Sequence, residues 1–135
     1  MNISTSKAVG RVQVTIIRLE GQLDGQSYME LIDKAKELFN DGARDFLLDM
    51  SGITYISSAG LVALHSVALL TNGEALPDTD AGWSTFRSMK AKVPGVQAHL
   101  KLLKPREEVR SVLEMVGFTS VFSIFTDLDE AVKSF

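Results

Sequence analysis

Apolar residues recur along this chain in two alternating rhythms, one with a period near two and one with a period near 3.6. Val12-Gln-Val-Thr-Ile-Ile-Arg-Leu19 is rich in β-branched residues and partly alternates, which predicts a strand. Glu20-Gly-Gln-Leu-Asp24-Gly25 follows, and its two glycines predict a turn. From Ser27 to Phe39, the residues Met29, Ile32, Ala35, Lys36 and Phe39 fall at helical spacing, with Leu31 and Leu38 widening the stripe. Asn40-Asp-Gly42 closes that helix, since glycine suits the position just past a last turn.

The short run Asp45-Phe-Leu-Leu-Asp49 is continuously apolar, as a strand covered on both faces would be. Leu61 to Leu70 is apolar almost all round and predicts a well-buried helix. Val96, Ala98, Leu100 and Leu102 alternate within Val96 to Leu103, which predicts the next strand. Pro105 to Val116 has proline near its first turn and Gly117 just after its last, the asymmetry of a helix. Val121 to Phe125 predicts a further strand, and Asp127 can cap a short helix from Leu128 to Lys133. Residues before Val12 are a candidate edge strand. This alternation predicts an α/β fold with a mixed, mostly parallel sheet of four to five strands and about four helices.

One segment interrupts the rhythm. Residues 71–95 are long for a helix–strand connection and hold the turn formers Asn72, Gly73, Pro77, Asp78, Asp80 and Gly82. Trp83 and Phe86 do not suit a free linker, so the segment reads as an insertion docked back through those aromatics. The 135 residues fit a single domain, 1–135, built on one core.

Composition narrows the chemistry. With 45% hydrophobic and 23% charged residues the chain is an ordinary globular type, and its net charge of −3 gives no reason to expect direct nucleic-acid binding. The absence of cysteine excludes disulfides, thiolate catalysis and cysteine-ligated zinc. Two histidines, His65 and His99, stand far apart in sequence, so no metal site and no cofactor is expected. The N-terminus lacks the apolar run of a signal peptide, and Ala59 to Leu70 is too short to span a bilayer. The expectation is a cytoplasmic chain with no membrane insertion.

The informative stretch is Asp49-Met-Ser-Gly-Ile-Thr-Tyr-Ile-Ser57-Ser58-Ala59-Gly60-Leu61. It passes from a strand ending at Asp49, through a polar turn, to two serines at the start of an apolar helix. Serine is a preferred helix cap, and on the simplest reading Ser58 caps while Ser57 is merely exposed. Gly60 asks for more, because glycine in a first helical turn costs about 1 kcal/mol relative to alanine. With Ala59 it leaves the helix start bare, open to another backbone or to a phosphate. Phosphorylating either serine would add about −1.5 to −2 charges where a helix N-terminus tolerates them.

Gly21-x-Leu23-Asp24, the run from Phe46 to Leu61, and the closing Gly117-Phe118, Val121-Phe122 and Asp129-Glu130-Ala131-Val132 together resemble the STAS domain. This is the domain of anti-sigma factor antagonists and of the cytoplasmic tails of sulphate transporters. The similarity covers nearly the whole chain except Thr71 to about Gly95. In the bacterial antagonists the turn commonly reads Asp-Ser-Ser/Thr-Gly-Leu, and the serine after the aspartate is phosphorylated by a kinase that is itself the anti-sigma factor. Aligned on Gly60 and Leu61, the resemblance assigns Ser57 to the aspartate position and Ser58 to the phosphoacceptor, with Ser57 as second choice.

The resemblance further implies a partner surface of Asp24, Ser57, Ser58, Ala59, Gly60 and Leu61. It implies an anti-sigma factor antagonist that switches partners. The unphosphorylated form binds an anti-sigma factor serine kinase, phosphorylation weakens the complex, and a serine phosphatase restores it. No catalytic residue, metal or cofactor is implied. One alternative is a STAS scaffold that does not switch, as an accessory subunit of a stress-sensing complex or a membrane transporter. A serine hydrolase is the alternative of another class. It is disfavoured because the G-x-S-x-G elbow is absent, with Ile56 two residues before Ser58, and because His65 lies two turns along the same helix.

Overall fold

A computed structural model describes residues 1–72 and 97–135. Five strands form one sheet: β1 (Asn2–Val9), β2 (Gln13–Leu23), β3 (Phe46–Ile56), β4 (Leu100–Leu103) and β5 (Ile124–Phe125). They lie in chain order across the sheet. β1 and β2 are antiparallel, and every later pairing is parallel. The described helices are α1 (Tyr28–Asn40), α2 (Ser58–Thr71), α3 (Glu107–Met115) and α4 (Leu128–Lys133), with a 3-10 turn at Phe118–Ser120. The predicted mixed, mostly parallel α/β sheet is therefore the fold, and the candidate edge strand before Val12 is β1.

Each helix follows from its apolar stripe. Leu31, Ile32 and Ala35 of α1, Leu61, Leu64, Val67 and Ala68 of α2, and Val109 and Leu113 of α3 bury against one sheet face. That face presents Ile17 and Leu19 of β2, Leu48 and Met50 of β3, and Leu100 and Leu102 of β4. The other face carries a smaller core in which Val14, Ile16, Leu47 and Leu103 meet Ala131 and Val132 of α4. Burial of both faces explains why Phe46-Leu-Leu48 is apolar without alternation. α2 is buried from Gly60 to Leu69, as its all-round apolar sequence predicts.

Four expected boundaries differ, among them that of the last strand, which is confined to Ile124–Phe125 and does not begin at Val121, the residue that closes the 3-10 turn. β2 does not stop at Leu19 but runs through Glu20-Gly-Gln to Leu23, and the turn comes at Asp24–Ser27. β3 does not end at Asp49 but continues to Ile56, so Ser51-Gly52 lies inside a strand and not in a polar turn. β4 begins at Leu100, and His99 and Gln97 precede it. Val96, Trp83, Phe86 and most of the expected insertion lie outside the described residues.

Candidate functional site

The carboxyl ends of β2 and β3 lie side by side. Leu23 pairs with Ile56, and the Ser57 N–H donates to the Leu23 carbonyl at 3.0 Å. The Asp24 turn and the serine turn therefore leave the sheet at one edge, where binding sites of open α/β sheets collect. The Asp24 turn is held by its own side chains. The Ser27 hydroxyl donates to the Gln22 carbonyl at 2.6 Å and accepts the Asp24 N–H at 3.0 Å. One carboxylate oxygen of Asp24 accepts the Gln26 N–H at 3.0 Å.

At the serine turn the two hydroxyls exchange the expected roles. Ser57 is the cap: its backbone is extended, and its hydroxyl accepts the Gly60 N–H at 3.4 Å. Ser58 is the first helical residue and is exposed, whereas Ser57 is half-buried. The simplest sequence reading had these reversed, because both serines are equally good caps and only backbone geometry separates them.

Gly60 meets the first of its two expectations, the close approach of another backbone. A Cβ there would stand 2.5 Å from the Leu23 carbonyl oxygen and 2.7 Å from the Ile56 side chain. The bare position is filled from within, by the end of β2, and is not left open to a phosphate. Leu61 is buried beneath it, Ala59 is half-buried, and Asp24 is half-buried beside them. Of the expected partner surface, Ser58 is the exposed member, while Gly60 and Leu61 shape the surface from below.

Neither imidazole stands at this edge. His65 is buried within α2. His99 precedes β4, its carbonyl accepts the Phe46 N–H, and its ring nitrogen lies 2.7 Å from Asp45. Those residues mark the amino end of β3, whose 11 residues put that end on the order of 30 Å from Ser58. The described residues therefore place neither histidine beside Ser58. They also contain no group of three or more metal-ligating side chains and no helix long and apolar enough to cross a membrane. A cavity of about 300 Å³ lined by Lys7, Thr15, Arg44 and Asp45 lies at the amino end as well, away from the serine turn.

Sequence reading passed over Tyr55. This aromatic sits two residues before Ser57 and is 52% exposed. The missed signal is the spacing of buried residues in β3, which changes from two to three after Met50.

No curated protein matches the chain. Solved structures share its fold. An anti-sigma factor antagonist from Mycobacterium paratuberculosis aligns over 98% of this chain and 93% of its own, at 15% identity and a TM-score of 0.63. A putative anti-sigma factor antagonist from Thermotoga maritima aligns over 96% and 92%, at 16% identity and a TM-score of 0.65. The unphosphorylated form of the antagonist SpoIIAA aligns over 96% and 93%, at 18% identity and a TM-score of 0.58. At these identities the likeness is one of fold. The family model described as Mlab, STAS domain matches residues 8–76, just over half of the chain. The chain belongs to the STAS domain family.

Proposed function

We propose that this chain is an anti-sigma factor antagonist that works by partner switching. In its unphosphorylated form it binds an anti-sigma factor serine kinase through the edge formed by Asp24, Ser57, Ser58, Ala59, Gly60 and Leu61. Phosphorylation of Ser58 breaks that complex, and a serine phosphatase restores it. The observation that carries this reading is the exposure of Ser58 at the first position of α2, directly beside the Asp24 turn. A hydroxyl there is reachable by a kinase, whereas that of Ser57 is turned to the cap. The fold shared with the antagonists above supports the same role.

Charge explains the switch. A phosphate on Ser58 is tolerated by the positive end of the α2 dipole, so the domain stays folded. The same charge, on the edge shared with the Asp24 turn, alters the potential that a partner meets. The domain needs no catalysis of its own on this reading and acts in the cytoplasm, as one unit spanning residues 1–135.

The second reading is a scaffold that binds without switching, as an accessory subunit of a stress-sensing or transporter assembly. One observation favours it. Ser57 supplies no carboxylate beside the acceptor, and its hydroxyl is occupied with the helix cap.

The deciding experiment is incubation with ATP and a purified anti-sigma serine kinase from the same genome, followed by phosphosite mapping. Phosphate on Ser58 that is absent in Ser58→Ala supports the switch. Stable binding without phosphate transfer supports the scaffold. Esterase activity lost in Ser58→Ala would overturn both.

A further inference from the structure

The carboxyl half of β3 gains residues on β2 twice. Between Arg18 and Glu20 of β2, the partner strand advances from Asp49 to Gly52. Between Gly21 and Gln22, it advances from Ile53 to Tyr55. Each step is a bulge that gives β3 one extra residue, and bulges are rare in parallel pairs. The core explains their phase. Leu48, Met50, Ile53 and Ile56 are all buried on the helix-covered face, at spacings of two, three and three. A regular strand would turn every second side chain inward. Only an added residue in each of the last two intervals returns Ile53 and Ile56 to the core.

The backbone is built for this. A Cβ on Gly52 would stand 2.7 Å from the Leu19 carbonyl oxygen, and Gly21 opposite the second bulge has φ +114°. The consequence lies on the outside. The second bulge leaves two consecutive residues, Thr54 and Tyr55, facing away from the core. Thr54 secures it, its hydroxyl donating to the Gly21 carbonyl at 3.3 Å. Tyr55 pairs with exposed Gln22 and precedes Ile56 and Ser57 directly. A large aromatic is therefore held in solvent at the bulged end of β3, three residues before Ser58 in the chain.

Tyrosine on a rigid support is the kind of residue that anchors interfaces, since it buries a large ring at little conformational cost. We infer that Tyr55 is the anchor of the partner surface, its ring entering an apolar recess on the kinase while Asp24 faces a basic group there. This inference rests on the partner reading above. It adds that the surface extends from the serine turn onto the bulged end of β3, so that Ser58 phosphate and the anchor belong to one surface.

The test is the affinity of the purified anti-sigma serine kinase for the full chain and for Tyr55→Ala and Met115→Ala. Met115 is the control, 81% exposed near the far end of α3. Tyr55→Ala is expected to weaken binding by about 30-fold or more, with Met115→Ala unchanged. Equal binding by all three overturns the anchor and leaves the partner reading standing, whereas no binding by the unmodified chain overturns both. A second measurement needs no variant. Tetranitromethane should nitrate Tyr55 in the free chain and fail to do so in the complex, and equal nitration in the two states overturns the anchor.

Discussion

The Leu23 carbonyl accepts the Ser57 N–H at 3.0 Å, and so ties the end of β2 to the cap of α2. The same oxygen occupies the space that a side chain on Gly60 would need. Gly60→Ala should therefore destabilise the domain, although alanine is the better helix former. Overpacking of this kind costs about 1–3 kcal/mol, which outweighs the propensity gain of about 1 kcal/mol at its upper end. Denaturant midpoints for the two chains check this, and an unchanged or raised midpoint would mean that β2 yields without cost.

Ser57 and Ser58 should separate cleanly in stability. Ser57→Ala removes the cap and should cost about 0.5–1 kcal/mol, the lower part of the usual range because the bond is long at 3.4 Å. Ser58→Ala removes an exposed hydroxyl and should stay within about 0.5 kcal/mol of the parent. Thermal melting of the two variants reads the difference. The opposite order would return the cap to Ser58.

Ser58→Asp tests the charge argument without a kinase. A carboxylate at the first helical position should hold or raise stability, by about 0.3–1 kcal/mol at low salt. Kinase binding by the same variant should fall at least tenfold. A Ser58→Asp chain that melts well below the parent would show that phosphate acts by unfolding the turn, not by changing its charge.

Lys101 offers a pH test at the other sheet face. Its ammonium donates to the Ser134 carbonyl at 2.9 Å and lies over the Phe135 ring at 4.7 Å. Burial pushes its pKa below the usual 10.5, opposed in part by the nearby Asp45 carboxylate. With the folded pKa lowered, the unfolded chain binds more protons between that value and 10.5. This group's contribution to stability therefore rises with pH across that window. Lys101→Met should remove that rise, seen as a smaller gain than the parent's when unfolding is measured from pH 8 to 10.5.

Much of this fold was legible because apolar period and turn chemistry agreed. α1, α2, α3 and α4 sit within a few residues of their predicted spans, and Phe46-Leu-Leu48 announced a strand buried on both faces. The carboxyl ends of β2 and β3 were not legible in that way. Ser51-Gly52 and Glu20-Gly21 carry the composition of turns, and bulges break the period that marks a strand. The spacing Leu48, Met50, Ile53, Ile56 held the answer, but only a search for interrupted alternation would find it. At the site, the sequence located the serines but not their division of labour, which depends on one extended residue before a helix. Tyr55 was missed for the same reason as the bulges that expose it.

The order of the strands has a consequence for how the chain is made. β1 to β5 lie across the sheet in the order in which a ribosome releases them. The antiparallel pair β1 and β2, joined by residues 10–12, can close first at small loop cost. Every later strand then meets a neighbour that is already standing. Among the described strands none has to be threaded between two that have already paired, so the sheet can grow from one edge during synthesis.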